Sequence, residues 1–350
     1  MSISKTQIKS ILVYSVALFL YHQFLGSYTQ GLSPFNQILL LTRLHSKILL
    51  KSTFSETKDF NYVAISPDKQ MLVSGSEDGL KAWDLKTNML KSIFTGLTEK
   101  VRAVAISPDG QILASGNEEG IKIWNLNTGN LKATLTGHTG EILSIAISPD
   151  GQTLVSGSRN STVKIWNLKT SELITTLSRQ ANDTTRGGGV HSVAISSDGQ
   201  TLVSGSWGNV IEIWNLKTRQ RKTIITSNVP GALDCVAITP DGQTVVGGGW
   251  DGTIKIWNSK TSKLIKTLGN QGSIFNNQQS ISTIAISPDG QTIVSGSLNE
   301  TIKIWDLKTG KLKSSLIGHT GPVRSIAISS DGQTIVSGSW DKTVKIWQMP

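Results

Sequence analysis

Ser337 to Trp347 reads SGSWDKTVKIW, and near copies of these residues recur along most of the chain. Each copy closes on a tryptophan: Ala82-Trp83 once, then Ile-Trp with Trp124, Trp166, Trp214, Trp257, Trp305 and Trp347. Read from their residue numbers, the steps between successive tryptophans are 41, 42, 48, 43, 48 and 42. A four-stranded propeller blade takes about 40–45 residues, so the period is that of a blade. Seven copies are present.

The unit is legible physically. VAISPDGQTLVSGS is two apolar-alternating runs around a Pro-Asp-Gly turn, which reads as a hairpin. The next turn, around Asp341 or its counterparts, leads into TVKIW, a β-branched strand. A Lys-Thr-Gly-Lys type turn and a short fourth strand such as Lys311-Leu316 complete it. One four-stranded sheet cannot cover both of its faces; stacking similar sheets around an axis buries them and leaves only short edges.

From Lys47 to Pro350 the chain resembles the WD40 repeat proteins, and its closely similar repeats resemble bacterial WD40 arrays. The resemblance implies an all-β, seven-bladed propeller. It also implies a buried hydrogen-bond set in each blade: the third-strand Trp, a Ser or Thr before it, an Asp, and a preceding Gly-His. The seventh repeat carries the whole set, Gly318-His319, Ser337, Asp341 and Trp347; the third keeps His138, Ser156 and Trp166 with Asn160 in the Asp place. Elsewhere it is thinner, with Glu119, Gly208 and Asn299 near the Asp position. The chemistry behind the set is that a buried indole N–H needs an acceptor, which the hydroxyl provides.

Residues 1–46 stand outside the repeats. Lys5 and Lys9 precede an apolar run of 15 residues, 11–25 (ILVYSVALFLYHQFL). As a helix it spans roughly 22 Å, short of the ~30 Å hydrocarbon core. A membrane anchor, a cleavable signal peptide and a helix packed on the propeller compete; no small-x-small cleavage site follows, and the anchor is the favoured reading. If it inserts, the flanking lysines keep the N-terminus in the cytoplasm and place the propeller on the non-cytoplasmic side. Cytoplasmic and secreted locations are the alternatives. Ser33-Pro34 then opens a short helix, PFNQILLLTRLH.

Lys47 to Phe54 (KILLKSTF) resembles the fourth strand of a repeat without a blade before it, and the sequence ends three residues after Trp347, before any fourth strand. The N-terminal segment is therefore expected to supply the outermost strand of the last blade and close the ring.

No catalytic, metal or cofactor arrangement emerges. His22 and His45 lie outside the repeats, His138 and His319 have structural explanations, and only His191 is unassigned. There is no Cys-His cluster, no GxxxxGK[ST] loop and no G-x-S-x-G elbow. Cys235, the single cysteine, reads as a small buried hydrophobe. The turn aspartates Asp109, Asp150, Asp241 and Asp289 recur because the turn needs them.

What differs between repeats says more about function. Trp207, Trp250 and Trp340 lie outside the Ile-Trp positions, each just before the turn from second to third strand. Arg159 occupies the same place in repeat three. The residue opening the first strand also varies: Arg102, His191, Asp234 and Arg324 among others. In WD40 proteins both positions face the upper surface, where partners bind. The two spacings of 48 place longer loops at 178–190 and 269–280, the second carrying Ile274 and Phe275. Aromatics and arginines are the usual anchors of interfaces, so these residues form a candidate partner-binding patch.

The net charge is +10; residues 1–46 carry +3, leaving +7. Much of it is lysine in the IKIW strands (Lys122, Lys164, Lys255, Lys303, Lys345) and the LKT turns (Lys169, Lys217, Lys308), expected to form a solvated rim. An anionic lipid or nucleic-acid surface is one rival reading, disfavoured by the lack of an aromatic-basic motif. A hydrolase using the axial opening is another. The reading that remains is a non-enzymatic protein-interaction scaffold, tethered by its N-terminal segment.

Overall fold

The computed structural model describes residues 48–55, 58–95, 100–178, 188–226, 233–269 and 279–349. The candidate anchor 11–25, the helix expected after Ser33, and Phe275 lie outside them. Among the described residues no helix is long and apolar enough to cross a membrane.

Those residues form 28 strands in seven four-stranded antiparallel sheets. In six sheets the strands pair in chain order, as in the first blade: Phe60–Ile65, Met71–Ser76, Gly79–Asp84, Leu90–Phe94. The seventh takes its outermost strand from the other end of the chain. Leu49–Ser55 pairs antiparallel with Thr343–Gln348, from Leu49 opposite Gln348 to Ser55 opposite Thr343. The ring therefore closes as expected from the sequence. The first strand of each blade packs against the first strand of the next, and Val323–Ile328 of the seventh against Phe60–Ile65, so the first strands surround the axis.

The core lies between blades rather than within them. One apolar cluster joins Ala114, Ile123 and Leu135 of the second blade to Ile142, Leu154 and Trp166 of the third. Another joins the closing strand to its neighbours through Phe54, whose ring centroid lies 5.1 Å from that of Trp83. Each fully buried aliphatic side chain contributes about 1.5–3 kcal/mol. The glycine that recurs in the second strand shows why the sheets can approach so closely. A Cβ on Gly116 would sit 2.6 Å from Ile142 Cγ2, and one on Gly248 2.6 Å from Ile281 Cγ2. Nearer the axis, hydroxyls stitch blade to blade: the Val193 N–H donates to Ser144 Oγ at 3.0 Å, Val236 to Ser192 at 3.1 Å and Val63 to Ser325 at 3.1 Å. The last of these crosses the ring closure.

Antiparallel order puts the first-to-second and third-to-fourth turns on one face, here the lower. On that face the Ser107 hydroxyl donates to Asp109 at 2.5 Å and the Gln111 N–H at 3.0 Å, bonds that hold the Asp109 carboxyl below its ordinary pKa. Lys69 and Asp331, 2.7 Å apart, link the first and seventh blades there. The second-to-third turns and the inter-blade connections share the upper face.

One expectation is corrected. Lys122, Lys164, Lys255 and Lys345 are no solvated rim; their exposures are 9%, 8%, 7% and 8%. Alternation along a strand marks a solvent face only where one face of the sheet is open. Here a neighbouring blade lies over each face, so the outward lysine of one sheet runs beneath the next. The turn lysines Lys169, Lys217 and Lys308 are exposed.

Candidate functional site

The upper end of the axis opens as a cavity of about 470 Å³ reached by the first strands of all seven blades, from Tyr62 and Val63 round to Ser325 and Ile326. Arg102, Arg159, His191, Trp207, Asp234, Trp250 and Arg324 line it. Trp340 stands against this group, the Arg324 guanidinium carbon lying 5.1 Å from its ring centroid. Five blades contribute these side chains, and the two positions that vary in the sequence supply them: the start of the first strand and the turn after the second.

An aromatic wall spans the fourth and fifth blades. His191 stacks on Trp207 with centroids 5.0 Å apart and planes 7° from parallel, and Trp207 meets Trp250 edge-to-face at 5.5 Å and 79°. Offset and edge-on contacts of this kind are the favourable ones for rings. Trp207 remains 45% exposed and Trp340 44%. The glycines before the fourth blade serve this packing. A Cβ on Gly188 would lie 2.2 Å from Trp207 Cβ, and one on Gly189 2.5 Å from Arg159 Cα. Those two glycines of the RGGGV run are needed for close approach.

Two acids, Glu141 and Asp234, organise the polar groups of the mouth. Glu141, buried just before the third blade's first strand, lies 3.1 Å from Arg159 Nη2 and 2.5 Å from Arg102 Nε. The second contact is too bent for a hydrogen bond and acts as charge attraction. Asp234 accepts the Trp250 indole N–H at 3.1 Å and the Ser280 hydroxyl at 3.2 Å. Burial pushes its pKa up to about 6, against the pull of Arg324 and these hydrogen bonds. Burial, aided by Arg159 and Arg324, lowers His191 to about 4, so its imidazole is neutral near pH 7. Burial also raises the Tyr62 hydroxyl.

Nucleophilic chemistry finds little support here. The Cys235 thiol is buried, faces the carbonyls of Gly248 and Ile281 at 3.6 Å each, and has its pKa raised further by burial. The Ser192 hydroxyl is spent on the backbone of Val236. Among the described residues no three His, Cys, Asp or Glu side chains gather to hold a metal ion.

The buried sets lie away from the mouth. In the seventh blade Trp347 donates to Ser337 Oγ at 2.9 Å, Ser337 meets His319 Nε2 at 2.7 Å, and His319 Nδ1 meets Asp341 at 2.7 Å. Asp341 can only accept, so Nδ1 carries a hydrogen. Burial opposes the Asp341 charge, yet bonds from His319, Thr343 and the Thr320 N–H hold its pKa well below the usual range. In the third blade Trp166 and His138 meet Ser156, each at 2.8 Å, and Thr162 takes the other imidazole nitrogen at 3.1 Å. Burial, then Lys164, lowers His138 to about 4. Tryptophan-to-serine bonds of 2.8–3.1 Å recur in the first, second, fourth and sixth blades. In the fifth, Gly247 stands in the serine place.

Sequence reasoning passed over Glu141 and Tyr62, which the mouth uses, and the buried Asp251–Lys255 pair. Asp251 was in view, six residues before Trp257 as Asp341 is before Trp347. Glu141 had no such signal, because loops of differing length precede each first strand.

A protein-family model described as WD domain, G-beta repeat matches residues 49–84, 263–306 and 310–348. A second, described as IFT122 first beta-propeller, matches residues 100–278. No curated protein matches the chain in sequence.

Proposed function

The chain belongs to the WD40 repeat family of β-propellers, and from that premise we propose that it is a non-enzymatic protein-interaction platform whose partner docks on the upper face, over the axial mouth. The family is generally non-enzymatic. The observation that carries the proposal is convergence: the described candidates, drawn from five blades, meet around one opening with two tryptophans nearly half exposed. A closed ring fixes their relative positions before binding, so little ordering entropy is lost on association. Large rigid aromatics beside arginines are the side chains on which interface energy concentrates.

The test compares partners captured by the full chain with those captured by Trp207→Ala/Trp250→Ala and by the lower-face variant Lys69→Ala. Loss from the first alone is expected. An unchanged partner set in the double variant removes the docking face. The same reading assigns residues 11–25 as a tether holding the disc on the non-cytoplasmic side, and complete digestion of the disc by protease added to intact spheroplasts is the expected outcome.

A further inference from the structure

Among the described residues the mouth carries five side chains of formal charge, and four are engaged within the ring. Glu141 takes Arg102 and Arg159. Asp234 has a donor on each oxygen, Trp250 on one and Ser280 on the other. Arg324 alone has neither ion pair nor hydrogen bond among the described residues; its contact is the face of Trp340.

A guanidinium lying over an indole uses its flat face for the ring and keeps its in-plane N–H groups for another partner. Those donors match the two oxygens of a carboxylate. Trp340 holds the guanidinium at one side of the opening, while Trp207 offers an apolar surface across it. A cationic ligand fits less well, because each Asp234 oxygen already accepts a hydrogen bond, from Trp250 and from Ser280. Among the described residues the unspent charge of the mouth is positive.

We infer that the mouth receives an acidic peptide segment of the partner, with an Asp or Glu carboxylate paired to Arg324 and a flanking apolar or aromatic side chain on the exposed tryptophans. This rests on the upper face being the docking surface. The net charge of +10 favours approach of such a segment. Asp234 shapes the pH response. The charged and titratable groups around it are Arg102, Arg159, Arg324, Glu141, His191 and Tyr62. With its pKa at about 6, Asp234 loses its charge on acidification while His191, at about 4, stays neutral. An acidic peptide therefore binds more tightly at about pH 5 than at about pH 7.5, and a basic peptide does the reverse.

The experiment selects short blocked peptides, randomised at every position, on the immobilised full chain, then measures affinities of the selected sequences by fluorescence anisotropy. Enrichment of Asp or Glu beside aromatic or aliphatic residues is expected. Arg324→Met should weaken those peptides about ten- to a hundredfold, the worth of a charge-assisted pair. Arg324→Lys should retain part of the affinity, and unchanged thermal midpoints show that both variants fold. Enrichment of basic peptides, or of phosphoserine peptides over their glutamate counterparts in a second library, overturns the carboxylate assignment. Acidic peptides lost in Trp207→Ala but unaffected by Arg324→Met leave the docking face standing and remove the Arg324 pairing. Peptides indifferent to both substitutions remove both.

Discussion

In the seventh blade a histidine joins Asp341 to Ser337 and Trp347; in the fifth, the matching positions hold Asp251, Gly247 and Trp257, and Lys255 partners the acid. The strand lysine occupies the same place in both blades and takes opposite courses. In the third and seventh blades, where an imidazole is already present, Lys164 and Lys345 reach the fourth-strand hydroxyls of Thr176 at 2.7 Å and Thr53 at 3.5 Å. In the second and fifth, the lysine turns to an acid, Lys122 to Glu119 at 2.9 Å and Lys255 to Asp251. In the second, fifth and seventh blades the acid after the turn takes a cationic or imidazole donor, and either side chain serves.

Removing the acid breaks the fifth blade's solution most severely. Asp251→Ala strands the buried Lys255 ammonium, and a loss of about 3–5 kcal/mol is expected by chemical denaturation. Asp251→Leu with Lys255→Met should recover most of it, since two apolar groups replace the pair; a double variant as unstable as the single one contradicts this account. In the seventh blade His319→Ala should cost about 2–4 kcal/mol through its two lost partners. The structure of that variant should show Lys345 turned onto Asp341, as Lys255 lies on Asp251. A Lys345 still at Thr53 denies the equivalence of the two blades.

The smallest effect lies at the upper end of the fifth blade, where a second acid is held by neutral donors. Asp234 binds its proton more tightly folded than unfolded between its ordinary 3.8 and about 6, so stability falls as pH rises through that window. Asp234→Asn should therefore gain at most about 3 kcal/mol at pH 7.5 and nothing near pH 4. Asp341 behaves oppositely. Its lowered pKa contributes stability above about pH 4 that is lost as the solution is acidified.

The fold was legible because one tryptophan and one Ser-Gly-Ser recur at blade spacing, and because the unmatched KILLKSTF answered the missing last strand. The candidate site was legible for the same reason: a repeat fixes equivalent positions, so Trp207, Trp250 and Arg324 stand out as departures. Glu141 hid in a connection with no equivalent elsewhere. The strand lysines misled because their regular recurrence in the IKIW strands says nothing of whether a second sheet lies over them. Asp251 and Lys255, four residues apart in sequence, are close in any strand-turn; their burial is a property of the ring.

The joint between Leu49–Ser55 and Thr343–Gln348 has a mechanical meaning. Because the terminal pair is Leu49 opposite Gln348, the first residue of one strand and the last of the other lie side by side at one end of the seam. Tension applied between them would part the seam like a zip, one pair at a time, instead of loading all its rungs together.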